Sequence, residues 1–110
     1  MDIIQENVRT PPQNIEAEQA VLGAILSNPK ALEKVSEFLQ PNHFVHPVHA
    51  KIYEACRNFI EQGRIADTVM LKPLFIHDES FKDVGGIDYL AKLASAAVRI
   101  VNVADYGHQI

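Results

Sequence analysis

Apolar residues recur along this chain at three- and four-residue intervals, the spacing that lines up side chains on one face of an α-helix. In "NIEAEQAVLGAIL" the positions are Ile15, Leu22, Ile25 and Leu26, with Asn14 placed to cap and Glu16 and Glu18 in the first turn, where the helix dipole favours acids. In "SNPKALEKVSEFLQP" they are Leu32, Val35, Phe38 and Leu39, behind a capping Asn28 and a Pro29 suited to the first helical position, and Pro41 closes the segment. "PVHAKIYEACRNFIEQG" predicts the longest helix: Pro47 opens it, Val48, Ile52, Cys56, Phe59 and Ile60 face one way, and Gly63 stops it.

The later stretches are less regular. In "ADTVMLKPLFIHDESF" Asp67 or Thr68 can cap, but Pro73 falls a turn and a half inside. A proline there lacks a donor and clashes with the preceding turn at roughly 3 kcal/mol, so a short or kinked helix is expected. Gly85 and Gly86 predict a hinge, followed by a helix that carries Ile87, Leu90, Ala91 and Ala94. A sixth helix is predicted from Asn102, with Val103, Tyr106 and Ile110 in step and no terminator before the chain stops, as in an element that continues. The first thirteen residues, with Pro11 and Pro12, read as a flexible lead-in.

Strand-like alternation is missing, with "VRIVNV" the one short competitor. The predicted class is all-α, a compact orthogonal bundle of about six helices. Its expected core is Ile15, Leu22, Ile25, Val35, Phe38, Phe44, His49, Ile52, Phe59, Leu71, Leu90 and Leu93.

Composition narrows the reading further. With 110 residues, 47% hydrophobic and 22% charged, the chain suits one soluble globular unit. Its apolar runs fall far short of the roughly 20 residues that cross a bilayer, and Met1 to Arg9 lacks a charged-then-apolar leader, so neither a membrane span nor a secretory signal is expected. Ten Lys and Arg against fourteen Asp and Glu give a charge of −4, and the cations are spread thinly. That speaks against a phosphate-backbone grip by this domain, because such binding needs clustered cations that release counterions. A single cysteine allows no internal disulfide and fits a reducing cytosol.

The one stretch that draws the eye for chemistry is "NHFVHPVHAKIYEAC", with His43, His46, His49 and Cys56 all zinc-ligand types. Spacing weakens the idea. His46 precedes a proline and is pushed to an extended conformation, so it does not pair with His49 along a helix. His49 and Cys56 share a face, but seven residues at about 1.5 Å rise set them roughly 10 Å apart, too far for one ion at about 2 Å from each. The ordinary reading outweighs the metal: His49 as a neutral, partly buried helix residue, Cys56 as a small core group, and His43 and His46 as incidental. Glu16 and Glu18, two apart, point different ways and read as dipole complements rather than an acid and base pair. Gly85 and Gly86 match no phosphate-cradle pattern, and Ser27, Ser36, Ser80 and Ser95 lack a nucleophile's setting. No catalytic, metal or cofactor residue is therefore assigned. The alternatives considered are a small metal-dependent hydrolase using the histidines and a free-standing helical adaptor.

Five phrases in order, "PPQNIEAEQAVLGAIL", "FVHPVHAKIYEA", "ADTVMLKPL", "VGGIDYLAKL" and "NVADYGHQI", resemble the N-terminal domain of DnaB-type bacterial replicative DNA helicases from about Pro11 to Ile110. "IEAEQAVLG" and "VGGIDYL" are the most specific, and Phe44, His49, Ile52 and Tyr53 match in the histidine stretch. The resemblance implies a head over residues 14–101, then the start of a helical hairpin arm at 102–110. Through that hairpin such domains pair into the collar of a hexameric ring and recruit primase. A RecA-like motor would supply ATP and magnesium binding, DNA contact and unwinding. No G-x-x-x-x-G-K-[ST] occurs in these 110 residues, so no catalysis is expected of them. Self-association, primase and a helicase loader are the implied partners, in the bacterial cytoplasm at the replication fork, and Val103, Tyr106 and Ile110 are the expected association surface. Two residues depart from the family's usual pattern. Pro73 sits where a helix usually continues, and Gly107 falls where an alanine-like residue is common, with a propensity loss of about 1 kcal/mol expected to loosen the arm.

Overall fold

The computed structural model describes residues 15–96 and 100–110. The lead-in and the expected cap Asn14 lie outside the described residues. Among the described residues all regular structure is helical, as the spacing predicts. Five α-helices, α1 (Ile15–Ser27), α2 (Pro47–Glu61), α3 (Thr68–Phe75), α4 (Tyr89–Ser95) and α5 (Ile100–His108), are joined by 3-10 helices at Pro29–Lys34, Pro41–His43 and Glu79–Val84.

Helix α1 is the centre of the bundle. It buries Ala17, Glu18 and every residue from Val21 to Leu26, and it packs against α2, α4, α5 and the 3-10 helix Pro29–Lys34. A helix covered on so many sides must be apolar or small nearly all round, which "AVLGAIL" supplies. The expected second helix forms as a 3-10 helix followed by turns. Asn28 caps it by accepting from the Lys30 amide at 3.0 Å, and Pro29 takes the first position. Leu32, Val35 and Phe38 are spaced by three, and a 3-10 turn stacks such residues directly above one another.

The third predicted helix forms as expected. Gly63 ends α2 at φ 74°, the Arg64 amide donates to the Phe59 carbonyl at 2.8 Å and the Gly63 amide to Ile60 at 3.0 Å, a double closure that needs a left-handed residue. Asp67, not Thr68, caps α3, accepting from the Met70 amide at 2.8 Å. Pro73 is held inside α3, which runs only two residues further and buries Leu71 and Phe75. Gly85 and Gly86 turn the chain with φ of 97° and 91°, but a 3-10 helix precedes them, and α4 starts at Tyr89 rather than at Ile87.

Helix α5 begins at Ile100, so Asn102 lies within it and does not cap it. Gly107 brings α5 close to the turns that follow the 3-10 helix Pro29–Lys34: a Cβ there would lie 2.7 Å from Val35 Cγ1 and 3.2 Å from Phe38 Cζ. His108 stacks on Phe38 with ring centroids 4.0 Å apart. The glycine permits a close seat, where helix propensity alone had suggested loosening. Of the expected core, Leu22, Ile25, Val35, Phe44, His49, Ile52, Phe59, Leu71, Leu90 and Leu93 are buried, while Ile15 and Phe38 are half-buried at its margin.

Candidate functional site

The most concentrated polar chemistry is inside the bundle. Glu18 of α1 and His49 of α2 are 1% and 0% exposed, and the His49 Nδ1 lies 2.7 Å from Glu18 Oε1. On its other side His49 Nε2 is 2.6 Å from the Tyr89 hydroxyl of α4, and the Gln19 amide donates to that hydroxyl oxygen at 3.0 Å. Glu18 also accepts the amides of Val45 at 2.8 Å and His46 at 3.4 Å. One proton arrangement satisfies every partner. Gln19 donates to Tyr89, Tyr89 donates to Nε2 of a neutral His49, and His49 donates from Nδ1 to the carboxylate. Burial pushes the Tyr89 phenol above its ordinary range, which keeps it a donor.

A carboxylate, an imidazole and a hydroxyl in line have the look of a proton relay. Among the described residues all three members are buried, and the clefts at α2 and α3, at α3 and α4, and beside the 3-10 helix Glu79–Val84 are lined by other residues. The arrangement ties α1, α2, α4 and the turn at Val45 and His46 together. Glu18 is therefore not the exposed dipole complement expected from its place in the first turn; Glu16, which is exposed, keeps that role.

The neighbouring histidines also have structural partners, where the sequence reading left them incidental. His43 Nδ1 accepts the Gln40 amide at 3.0 Å, closing the 3-10 helix Pro41–His43. His46 caps α2 by accepting the Val48 amide on Nδ1 at 3.2 Å, and its ring lies on that of His49 with centroids 4.7 Å apart. In all three histidines Nδ1 is already engaged by the protein. Cys56 is buried, and burial pushes its thiol up to about 12, which keeps it from serving as a thiolate. Ser27 and Ser95 hydroxyls donate to the carbonyls of Ala94 and Lys92. Ser80 donates to Asp78 at 2.6 Å, and Lys51 reaches the same carboxylate at 2.9 Å, a surface tie between α2 and the 3-10 helix Glu79–Val84.

The surface shows a different feature, on α3. Its inner face buries Leu71 and Phe75, yet Val69 is 74% exposed, Leu74 53% and Ile76 51%, and the preceding Ile65 is 63% exposed. Between α3 and α2 runs a cleft of about 410 Å³ with Ala55, Phe59, Leu74 and Phe75 along its apolar side and Lys51, Glu54, Asn58, Gln62 and Arg64 at its polar side. The Arg64 guanidinium lies 3.9 Å from the centre of the Phe59 ring.

A family model described as the DnaB-like helicase N terminal domain matches residues 10–110. The chain belongs to this family. The replicative DNA helicase DnaB of Rickettsia typhi is 44% identical to it over 99 residues, 90% of this chain and 20% of that protein. The replicative DNA helicase DnaB of Geobacillus stearothermophilus is 41% identical over 98 residues, 89% of this chain and 22% of that protein. The chain thus spans about a fifth of the length of the curated relatives it matches. Its fold matches the crystal structure of the N-terminal domain of DnaB helicase from Mycobacterium tuberculosis with a TM-score of 0.79 and 32% identity, over 91% of this chain and 71% of that one.

Within this DnaB N-terminal domain the residues expected to form an association surface sit against the head itself. Val103 is fully buried, and Tyr106 and Ile110 are half-buried against the same core. Their apolar stripe is largely used at home, by α1 and the 3-10 helix Pro29–Lys34. The outer face of α3 escaped the sequence reading, although its signal was present: "VMLKPLFI" is apolar on both sides of the helix, which a surface helix covered on one face alone does not need. The buried network had no such local signal, because His49 lies 31 residues from Glu18 and 40 from Tyr89. Among the described residues no helix is long and apolar enough to cross a membrane.

Proposed function

We propose that this chain is the non-catalytic N-terminal assembly and protein-interaction domain of a replicative DNA helicase, one that self-associates in a hexameric collar and recruits primase. Family membership supports the first half of the reading. The observation that carries the second is α3, whose exposed side carries Val69, Met70, Leu74 and Ile76 beside a single charge, Lys72; an apolar surface of this kind is a usual mark of a protein partner. In this reading residues 14–101 are the head and 102–110 open the arm, with α5 spanning that boundary and packed on the head. ATP, magnesium and DNA belong to the motor portion of the parent enzyme, at the replication fork in the cytoplasm, and a loader is a further partner of the assembled ring.

The test is a double variant, Val69→Glu with Leu74→Glu, introduced in this chain and in the full helicase. Both side chains are more than half exposed, so the thermal midpoint should hold. Sedimentation of the full helicase and titration with primase should show a loss of roughly ten-fold or more in ring assembly or in primase affinity. A folded double variant that assembles and binds primase like the native protein would overturn the reading.

A further inference from the structure

The turn that leads into α2 carries a titratable group in a position where capping and charge exclude one another. His46 is the residue before Pro47, in an extended conformation (φ −80°, ψ 121°), and its Nδ1 lone pair receives the Val48 amide at 3.2 Å. Capping side chains are usually Ser, Thr, Asp or Asn, whose oxygens keep lone pairs through the neutral range. An imidazole accepts only while one nitrogen is unprotonated; the imidazolium has two donors and no acceptor. The same ring lies over the ring of the fully buried His49, so it also covers the Glu18–His49–Tyr89 network.

We propose that His46 is a proton-operated cap: its neutral ring closes the first turn of α2 and covers His49, and a proton on Nδ1 opens that turn and uncovers the network. The groups facing His46 are Glu18 from α1, His49 from α2 and Asp83 from the 3-10 helix Glu79–Val84. The two carboxylates attract an imidazolium. Against them stand burial of the ring and the positive end of the α2 dipole. Burial prevails, and it lowers the His46 pKa from its ordinary 6.5. A lowered histidine stabilises the fold in its neutral form. That stability is complete above the unfolded value of about 6.5 and is lost as pH falls through the folded value. The Val45 and His46 amides bond Glu18 without using the His46 ring, so the opening needs to involve only the ring and the first turn.

The experiment is an NMR titration of this chain, following the histidine ring protons and the Val48 amide. His46→Asn identifies the His46 signal by its loss and supplies a cap that does not titrate; His46→Ala supplies none. The His46 ring is expected to titrate below 6.5, and the Val48 amide shift to move toward its solvated value with the same midpoint. In His46→Asn the Val48 shift should be flat over that range. In His46→Ala it should sit at the open position even at neutral pH, with amide exchange faster by roughly five-fold, the worth of a lost cap. A Val48 shift that ignores the titration of His46 in the native chain would overturn the proposal whether or not the variants fold, and so would an undiminished pH step in His46→Asn.

Discussion

Replacing Glu18 by Gln separates two accounts of this residue by magnitude. As a dipole complement at the start of α1 it contributes about 0.3–1 kcal/mol, and Gln would forfeit no more than that. As the acceptor at the centre of the buried network it stands to lose far more. Glu18 Oε1 faces His49 Nδ1 and the His46 amide, and Oε2 faces the Val45 amide. A Gln side chain fills the same volume but has one oxygen and one NH₂, so one of these positions brings donor against donor. The unmet buried donor costs about 1–3 kcal/mol, and the bonds that remain lose the charge assistance worth roughly another 1 kcal/mol. The sum is about 2–4 kcal/mol, or a drop in melting midpoint of roughly 8–20 °C for a domain near this size. The chain has no Trp, so urea unfolding followed by far-UV circular dichroism is the suitable assay, with the exposed Glu16→Gln as control. Tyr89→Phe completes a cycle, and the two losses should be non-additive because both act through His49. If Glu18→Gln falls within about 0.5 kcal/mol of Glu16→Gln, the network does not hold the bundle together as argued.

Two further substitutions probe the packing around it. Ile52 is fully buried on α2, and Ile52→Ala should cost about 2–5 kcal/mol in urea unfolding; an unchanged midpoint would remove it from the core. Gly107→Ala gains up to about 1 kcal/mol of helix propensity, yet its new methyl would stand 2.7 Å from Val35 Cγ1, so a net loss of about 1–3 kcal/mol is expected, and a raised melting midpoint would show that the seat of α5 is looser than described.

The elements that were legible in the sequence are those whose signals are local. Pro47 and Gly63 bound α2 because a fixed φ suits the first position of a helix and a left-handed residue suits its end. Asp67, Asn28 and the glycine pair were legible for similar reasons. The segment from Pro29 to Leu39 formed a 3-10 helix and turns because Leu32, Val35 and Phe38 satisfy periods of three and of 3.6 alike, and packing against α1 and α5 decided between them. The functions of Glu18, His43 and His46 were illegible for a different reason. A carboxylate in a first turn looks the same whether its head group meets water or a histidine on another helix. The histidine cluster suggested ligands because the residue type was counted, while what decides coordination is whether a ring nitrogen keeps a free lone pair. In His43 and His46 Nδ1 accepts a backbone amide, which leaves the proton on Nε2, and in His49 Nδ1 donates to Glu18 while Nε2 accepts from Tyr89.

The buried network and the exposed face of α3 bear on one another. Leu71 and Phe75 anchor α3 by its inner face, Phe75 stacks on Phe81 with centroids 4.9 Å apart, and the helix packs chiefly on α4 while standing across an open cleft from α2. A helix apolar on both faces can bury more surface by rolling inward, and a core held by aliphatic contacts alone would tolerate that rearrangement, since such contacts are non-directional. The hydrogen bonds from Glu18 through His49 to Tyr89 are directional, and they fix α4 relative to α1 and α2. Moving α4 to receive α3 differently would take the Tyr89 hydroxyl from His49 Nε2 and leave that nitrogen unmet in the interior, at a cost of about 1–3 kcal/mol, comparable to the gain from burying one further aliphatic side chain. The polar network thereby opposes an inward roll of α3, which leaves Val69, Leu74 and Ile76 exposed.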